Sequence, residues 1–220
     1  MDWTTLGLTL KLAVGTTTIL VLIGVPLAYW LATTRSRVGP LVETVVALPM
    51  VLPPTVAGFY FLLATGPDAW IGGGYRSLTG HLLPFSFEGI LLASVLFNLP
   101  FAVRPFTTAI ASVDRKTVEA SWCLGVSRLQ TFFRIILPLS WSGILTGLVL
   151  SFTHTIGEFG VVLMVGGNIP GVTRTLSIAI YDDVQALNYD SAAWTALLLV
   201  VLSFAALSVT YSLSGRRWSA

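Results

Sequence analysis

Five stretches of this chain, residues 6–33, 41–66, 87–111, 139–166 and 191–213, stay apolar for longer than the roughly 20 residues a helix needs to cross a bilayer. Nothing else in the sequence constrains the fold as strongly, because a backbone in lipid must satisfy its own amides and carbonyls. The expected fold is all-α: a single polytopic membrane domain over residues 1–220 with about five transmembrane helices. Composition agrees, since 55% of residues are hydrophobic and only 10% charged, against about 25% charged in a soluble globule. A further stretch, 175–187, is too short to span and contains Asp182 and Asp183, so it is expected as a surface or re-entrant helix. The first apolar run has no basic region ahead of it and outlasts a signal-peptide core of about 7 to 15 residues, which predicts an uncleaved span.

Short cytoplasmic loops collect Lys and Arg. With five spans, Arg35, Arg37, Arg104, Arg115, Lys116, Arg128, Arg134, Arg216 and Arg217 fall on one side. Lys11, Arg76 and Arg174 fall on the other, among Asp2, Asp68, Glu88, Asp182, Asp183 and Asp190. The expected N-terminus is therefore outside and the C-terminus cytoplasmic. Trp3, Trp70 and Trp194 near the outer span ends, and Trp30, Trp141 and Trp218 near the inner ones, fit interfacial belts.

Two spans are interrupted. The second carries Pro49, Pro53 and Pro54, and the third carries Asn98-Leu99-Pro100 and Arg104-Pro105. Each proline removes an amide donor, and carbonyls freed in a membrane must face protein or a water-filled cavity. Such breaks serve either a pathway or plain helix packing. In the fourth span Glu158 follows His154 by four residues, which places both on one helical face. A charge there costs about 2.5–3.5 kcal/mol even on an insertion scale, so Glu158 is expected to face the bundle interior, a cavity or a partner. It reads either as a structural group or, with His154, as a proton relay.

Several chemistries are excluded or left without support. No phosphate-binding loop occurs: the run Gly72-Gly73-Gly74 leads into Tyr75-Arg76 rather than a lysine. His81 and His154 have no partner at metal-ligand spacing, and Cys123 is the one cysteine, read as a small buried helix residue. No metal site and no catalytic residue are expected. The basic residues form no stripe that would suit nucleic acid.

One island is amphipathic. Gly125 sits where a helix would end in a left-handed cap, and Ser127 and Gln130 have capping-box spacing. Leu129, Phe132, Phe133 and Ile136 are then expected on one face, with Arg128 and Arg134 off it. Such an element suits docking of a soluble partner. Beyond the fourth span, residues 166–175 form an outer loop rich in turn formers, with Asn168, Thr173 and Arg174 as polar candidates.

The stretch Glu119-Ala120-Ser121 with Gly125, closed by Phe132-Phe133-Arg134-Ile135-Ile136-Leu137-Pro138, resembles the cytoplasmic loop of permease subunits of bacterial ABC importers. Ser121 stands for the usual second alanine. The motifs at 48–58, Gly157-Glu158-Phe159-Gly160 and 167–175 are similar to those of its oxyanion branch, and Pro170-Gly171-Val172-Thr173-Arg174-Thr175 tips the likeness to molybdate or tungstate over sulfate. The resemblance implies a type I importer permease in a bacterial or archaeal cytoplasmic membrane, working as a homodimer. Two ATPase subunits would carry ATP and Mg, which this chain would not bind, and an oxyanion-binding protein would deliver cargo outside. By the same likeness, residues 112–137 are the coupling loop, with Glu119, Ala120, Ser121, Leu124, Gly125, Val126, Arg128 and Phe132 meeting the ATPase. Pro53, Pro54, Thr55, Asn98, Thr153, Gly157 and Glu158 are the pathway or gate candidates, and Asn168, Thr173 and Arg174 the binding-protein contacts. Sulfate import, and proton-coupled transport through Glu158 and His154, are the alternatives.

Overall fold

A computed structural model describes residues 2–214, so Arg216, Arg217 and Trp218 lie outside the described residues. The first span is α1 (Trp3–Thr33), started by Asp2, whose carboxylate accepts from the Thr4 amide at 2.9 Å. The second is two helices, α2 (Gly39–Val51) and α3 (Pro54–Thr65), bent by 115° at Leu52-Pro53. Pro53 and Pro54 supply no amide to continue α2, and Pro54 is well placed in the first turn of α3. The short α4 (Trp70–Thr79) precedes the central helix α5 (Phe87–Ala111), which runs unbroken through Pro100 and Pro105, contrary to the interruption expected in the third span.

Two short helices, α6 (Arg115–Cys123) and α7 (Arg128–Thr131), then hang from one end of the bundle. A π turn, Phe132–Ile136, joins α7 to α8 (Leu137–Gly157). Leu137 donates to the Phe132 carbonyl, five residues back, just before Pro138, which has no amide to donate to Arg134. The chain continues as α9 (Gly160–Gly166), α10 (Leu176–Gln185) and α11 (Tyr189–Ser214). No strand occurs among the described residues.

The fourth apolar run therefore differs from expectation. Its helix begins earlier, at Arg128, and stops at Gly157; Glu158 is extended, with ψ 126°, and α9 carries the rest. The stretch around 175–187 is the ten-residue α10, with Leu176 and Ile178 buried.

Two apolar cores fill the bundle. At the α6 end, Leu20, Ala28, Val103, Phe106, Ile136 and Ile144 pack together. At the opposite end Leu12, Ile90, Ala93, Val162, Val165 and Ile178 do the same. The second and fourth spans, the two that break, meet where α3 packs on α9, and a Cβ on Gly160 would stand 2.8 Å from Pro54 Cβ. Only glycine permits that approach.

Candidate functional site

Between the two cores, α1, α5 and α8 each turn polar residues inward. Thr16, Ser94, Asn98, Ser151, Thr155 and Glu158 are all buried, and together they make a polar layer at mid-depth. Asn98 is its centre. Its amide nitrogen donates to the Ser94 carbonyl at 2.9 Å and to Glu158 Oε2 at 3.1 Å. Its Oδ1, left to accept, lies 2.9 Å from His154 Nδ1, which makes that nitrogen the donor. His154 is also stacked on Phe101, with ring centroids 4.0 Å apart.

His154 and Glu158 share the face turned toward α5, and each meets Asn98 rather than the other. The helix ends between them, and α5 joins them through Asn98. Among the described residues, Glu158 Oε1 and the hydroxyls of Ser94, Ser151 and Thr16 make no hydrogen bond of ordinary geometry, although the Ser94 hydroxyl lies close enough to act on the Glu158 carboxyl. A carboxyl at 5% exposure sits where both broken spans are interrupted. Pro53, Pro54, Thr55 and Gly157 border this junction and are exposed, while the Thr153 hydroxyl folds back onto the Val149 carbonyl at 2.8 Å. The sequence pointed to Asn98 and Glu158; it did not separate Ser94, Ser151 and Thr16 from hydroxyls that merely bond their own helix. Ser94 and Asn98, four residues apart, carried the available signal.

The second cluster is the helix-turn-helix of α6 and α7. Gly125 has φ +79°, its amide donates to Trp122, and Val126 donates to Ser121, so α6 ends in a Schellman motif. Ser127 and Gln130 cap α7 reciprocally. The Ser121 and Thr131 hydroxyls, both buried, meet at 2.9 Å and fasten the two helices to each other. Glu119 is exposed and bonded to Arg115 at 2.7 Å; Ala120, Leu124 and Arg128 are exposed and Val126 half-buried. The expected apolar face is split: the π turn sends Phe132 against Tyr29, with centroids 4.9 Å apart, and Ile136 inward, while Leu129 and Phe133 stay outside. Cys123 is exposed, contrary to the expected burial.

The third cluster closes the loop after α9. Arg174 donates to Asn168 at 2.7 Å and pairs with Asp182 of α10 at 3.0 Å, and Asn168 donates to Asp182 at 2.6 Å. Thr173 is fully buried, its hydroxyl donating to the Gly166 carbonyl and accepting from the Ile169 amide. In this conformation Thr173 holds the loop from beneath, while Asn168 and Arg174 are tied to Asp182.

Helices interrupted at a shared junction, with a capped helix-turn-helix at one end, are what the resemblance to importer permeases implies. The chain belongs to the family of binding-protein-dependent transport system inner membrane components, which it matches over residues 24–219, and it is a permease subunit of the ABC-importer class. It is 45% identical over 219 residues to the molybdenum transport system permease protein ModB of Azotobacter vinelandii, covering 100% of this chain and 96% of the relative. The ModB of Haemophilus influenzae is 34% identical, with 98% and 95% covered. A probable sulfate transport system permease protein of Chlorella vulgaris is 32% identical, over 73% of this chain and 60% of that one. The fold is that of solved importers. A bacterial ABC transporter for alginate superposes with TM-score 0.73 at 19% identity, covering 100% of this chain and 82% of that one. The MetNI methionine transporter superposes with TM-score 0.75 at 17% identity, covering 95% and 92%.

Proposed function

We propose that this chain is the permease subunit of a molybdate importer, two copies of which form the pathway. Separate ATPase subunits, holding ATP and Mg, dock on α6 and α7, and an oxyanion-binding protein delivers cargo at the opposite end, near Asn168 and Arg174. The N-terminus lies outside and the α6 end in the cytoplasm. The observation that carries the coupling role is the rigid element itself: a Schellman turn, a capping box and a buried hydroxyl pair present exposed Leu124, Leu129 and Phe133 to the water phase. Three independent devices that hold one angle suit a part that must transmit force without bending. Molybdate is favoured by the relatives at 45% and 34% identity; sulfate is the second reading, favoured by the relative at 32%.

Gly125 has open space around its Cβ position, so a substitution there acts through the backbone alone. Gly125→Pro cannot hold φ +79°. The variant is expected to insert and purify normally, yet to lose the ATP hydrolysis that loaded binding protein stimulates in proteoliposomes. Normal stimulation would overturn the docking role. Uptake of labelled molybdate in the presence of excess sulfate separates the two cargo readings.

A further inference from the structure

A recess of about 260 Å³ opens between α1, α2 and α5 in the half of the bundle nearer α6, lined by Leu31, Glu43, Val46, Arg104, Thr107 and Thr108. Arg104 lies seven residues before the end of α5, about 10 Å inside the helix. Among the described residues the ion pairs are Arg115–Glu119 and Arg174–Asp182, and the Arg104 guanidinium has neither an ion pair nor a hydrogen bond. Charges within spans are costly, and Arg104, exposed like Glu43 and Thr108, opens into this recess rather than into a packed core. Arg104 lies six residues beyond Asn98, about 9 Å along the same helix. Between them is Phe101, on which His154 is stacked. At 3.6 residues per turn Arg104 stands about 120° round α5 from Asn98, so these side chains wind from the buried junction out to the exposed recess.

We propose that this recess is a transient binding site for the tetrahedral oxyanion on its way to the cytoplasm, with the Arg104 guanidinium as its anchor and the Thr108 hydroxyl as a second donor. Guanidinium offers several fixed N–H donors to an oxyanion and stays charged in any environment. The Thr107 hydroxyl is committed to the Val103 carbonyl at 2.8 Å and does not donate to the ion. Glu43, across the recess, competes for the same guanidinium and keeps the hold weak, as a conduit requires. The site rests on the permease reading above and adds a residue that acts on the cargo itself.

The test uses the complete transporter, with its ATPase subunits, in proteoliposomes supplied with saturating tungstate-loaded binding protein. Loss of one charge-assisted contact predicts that Arg104→Gln lowers tungstate uptake about ten-fold or more. Stimulated ATP hydrolysis is expected to fall much less, so that more ATP is spent per ion, and Arg104→Lys is expected to recover part of the uptake. Glu43→Gln is expected to hold the ion longer, so that tungstate on the cytoplasmic side inhibits ATP hydrolysis at about three-fold lower concentration or less, a readout that does not depend on the arginine variant folding. Uptake by Arg104→Gln within two-fold of the parent, with no shift in Glu43→Gln, overturns the site. A phospholipid retained by the parent in native mass spectrometry and lost in Arg104→Gln, with uptake intact, reassigns the arginine to a lipid phosphate and also overturns it. A parent transporter that moves neither tungstate nor molybdate refutes the oxyanion reading instead.

Discussion

Asn98 hydrogen-bonds both Glu158 and His154. Truncation to Asn98→Ala leaves a carboxyl and an imidazole nitrogen buried without that partner, a cost of about 2–5 kcal/mol. The purified protein should melt at clearly lower temperature in thermal unfolding. Glu158→Gln keeps an oxygen for Asn98 to donate to and should stay within about 1 kcal/mol in the same measurement. Unchanged uptake by that variant would also count against a proton relay. At the start of α1, the Thr4 hydroxyl, then the Thr5 hydroxyl and the Thr4 amide, hold the Asp2 carboxyl down from 3.8 to about 2. A depressed carboxyl stabilises above its unfolded value, and that contribution is lost as pH falls through the folded one. Amide exchange in the first turn of α1 should therefore rise between about pH 4 and pH 2, and should not rise in Asp2→Asn. At this scale Asn98, Glu158 and Gly125 were legible because their types are rare or conformationally special in an apolar run. Ser94, Ser151 and Thr16 were not, because a helical hydroxyl usually bonds its own turn, as Thr9 does to the Thr5 carbonyl at 2.8 Å.

Among the elements, the π turn decides how the docking pair is aimed. With 3.6 residues per turn, Leu129, Phe132, Phe133 and Ile136 would share a face. In the structure a π turn ahead of Pro138 widens this stretch, Phe132 lies against Tyr29, and Leu129 and Phe133 are exposed. Pro138→Ala restores the donor and should let the helix close regularly. Expression is expected to hold or improve, while stimulated ATP hydrolysis falls several-fold because α7 turns relative to α8; unchanged stimulation would show that the turn does not set the angle. The prolines of the second span announced a break, whereas its 115° bend and the seat of α3 on α9 at Gly160 appear only in the folded chain.

For the whole molecule, exposed surface has two meanings. The outward side of α11, with Trp194, Val200 and Phe204, is apolar and exposed, as a lipid-facing helix would be. The exposed residues at the broken junction, Pro53, Pro54, Thr55 and Gly157, border a polar layer instead. In a Cys123→Ser background, Thr55→Cys should react with a charged, membrane-impermeant thiol reagent in assembled transporter, and Phe204→Cys should not. Equal protection of both would place Thr55 in lipid and remove the junction from any water-lined path.

The class of fold, the break at Pro53-Pro54 and the turn at Gly125 were readable from residues alone, whereas the break expected in the third span is absent and the one at Glu158 was not foreseen. The readable features follow from local physics: apolar length, missing proline amides and the φ range open to glycine. Long-range packing alone puts Asn98 between His154 and Glu158, Thr131 against Ser121, and Arg104 in one recess with Glu43. Those partners are 56, 60, 10 and 61 residues apart. No periodicity within one helix encodes which face of a second will meet it; that is settled by packing, where two apolar cores close and leave the polar side chains between them to find each other.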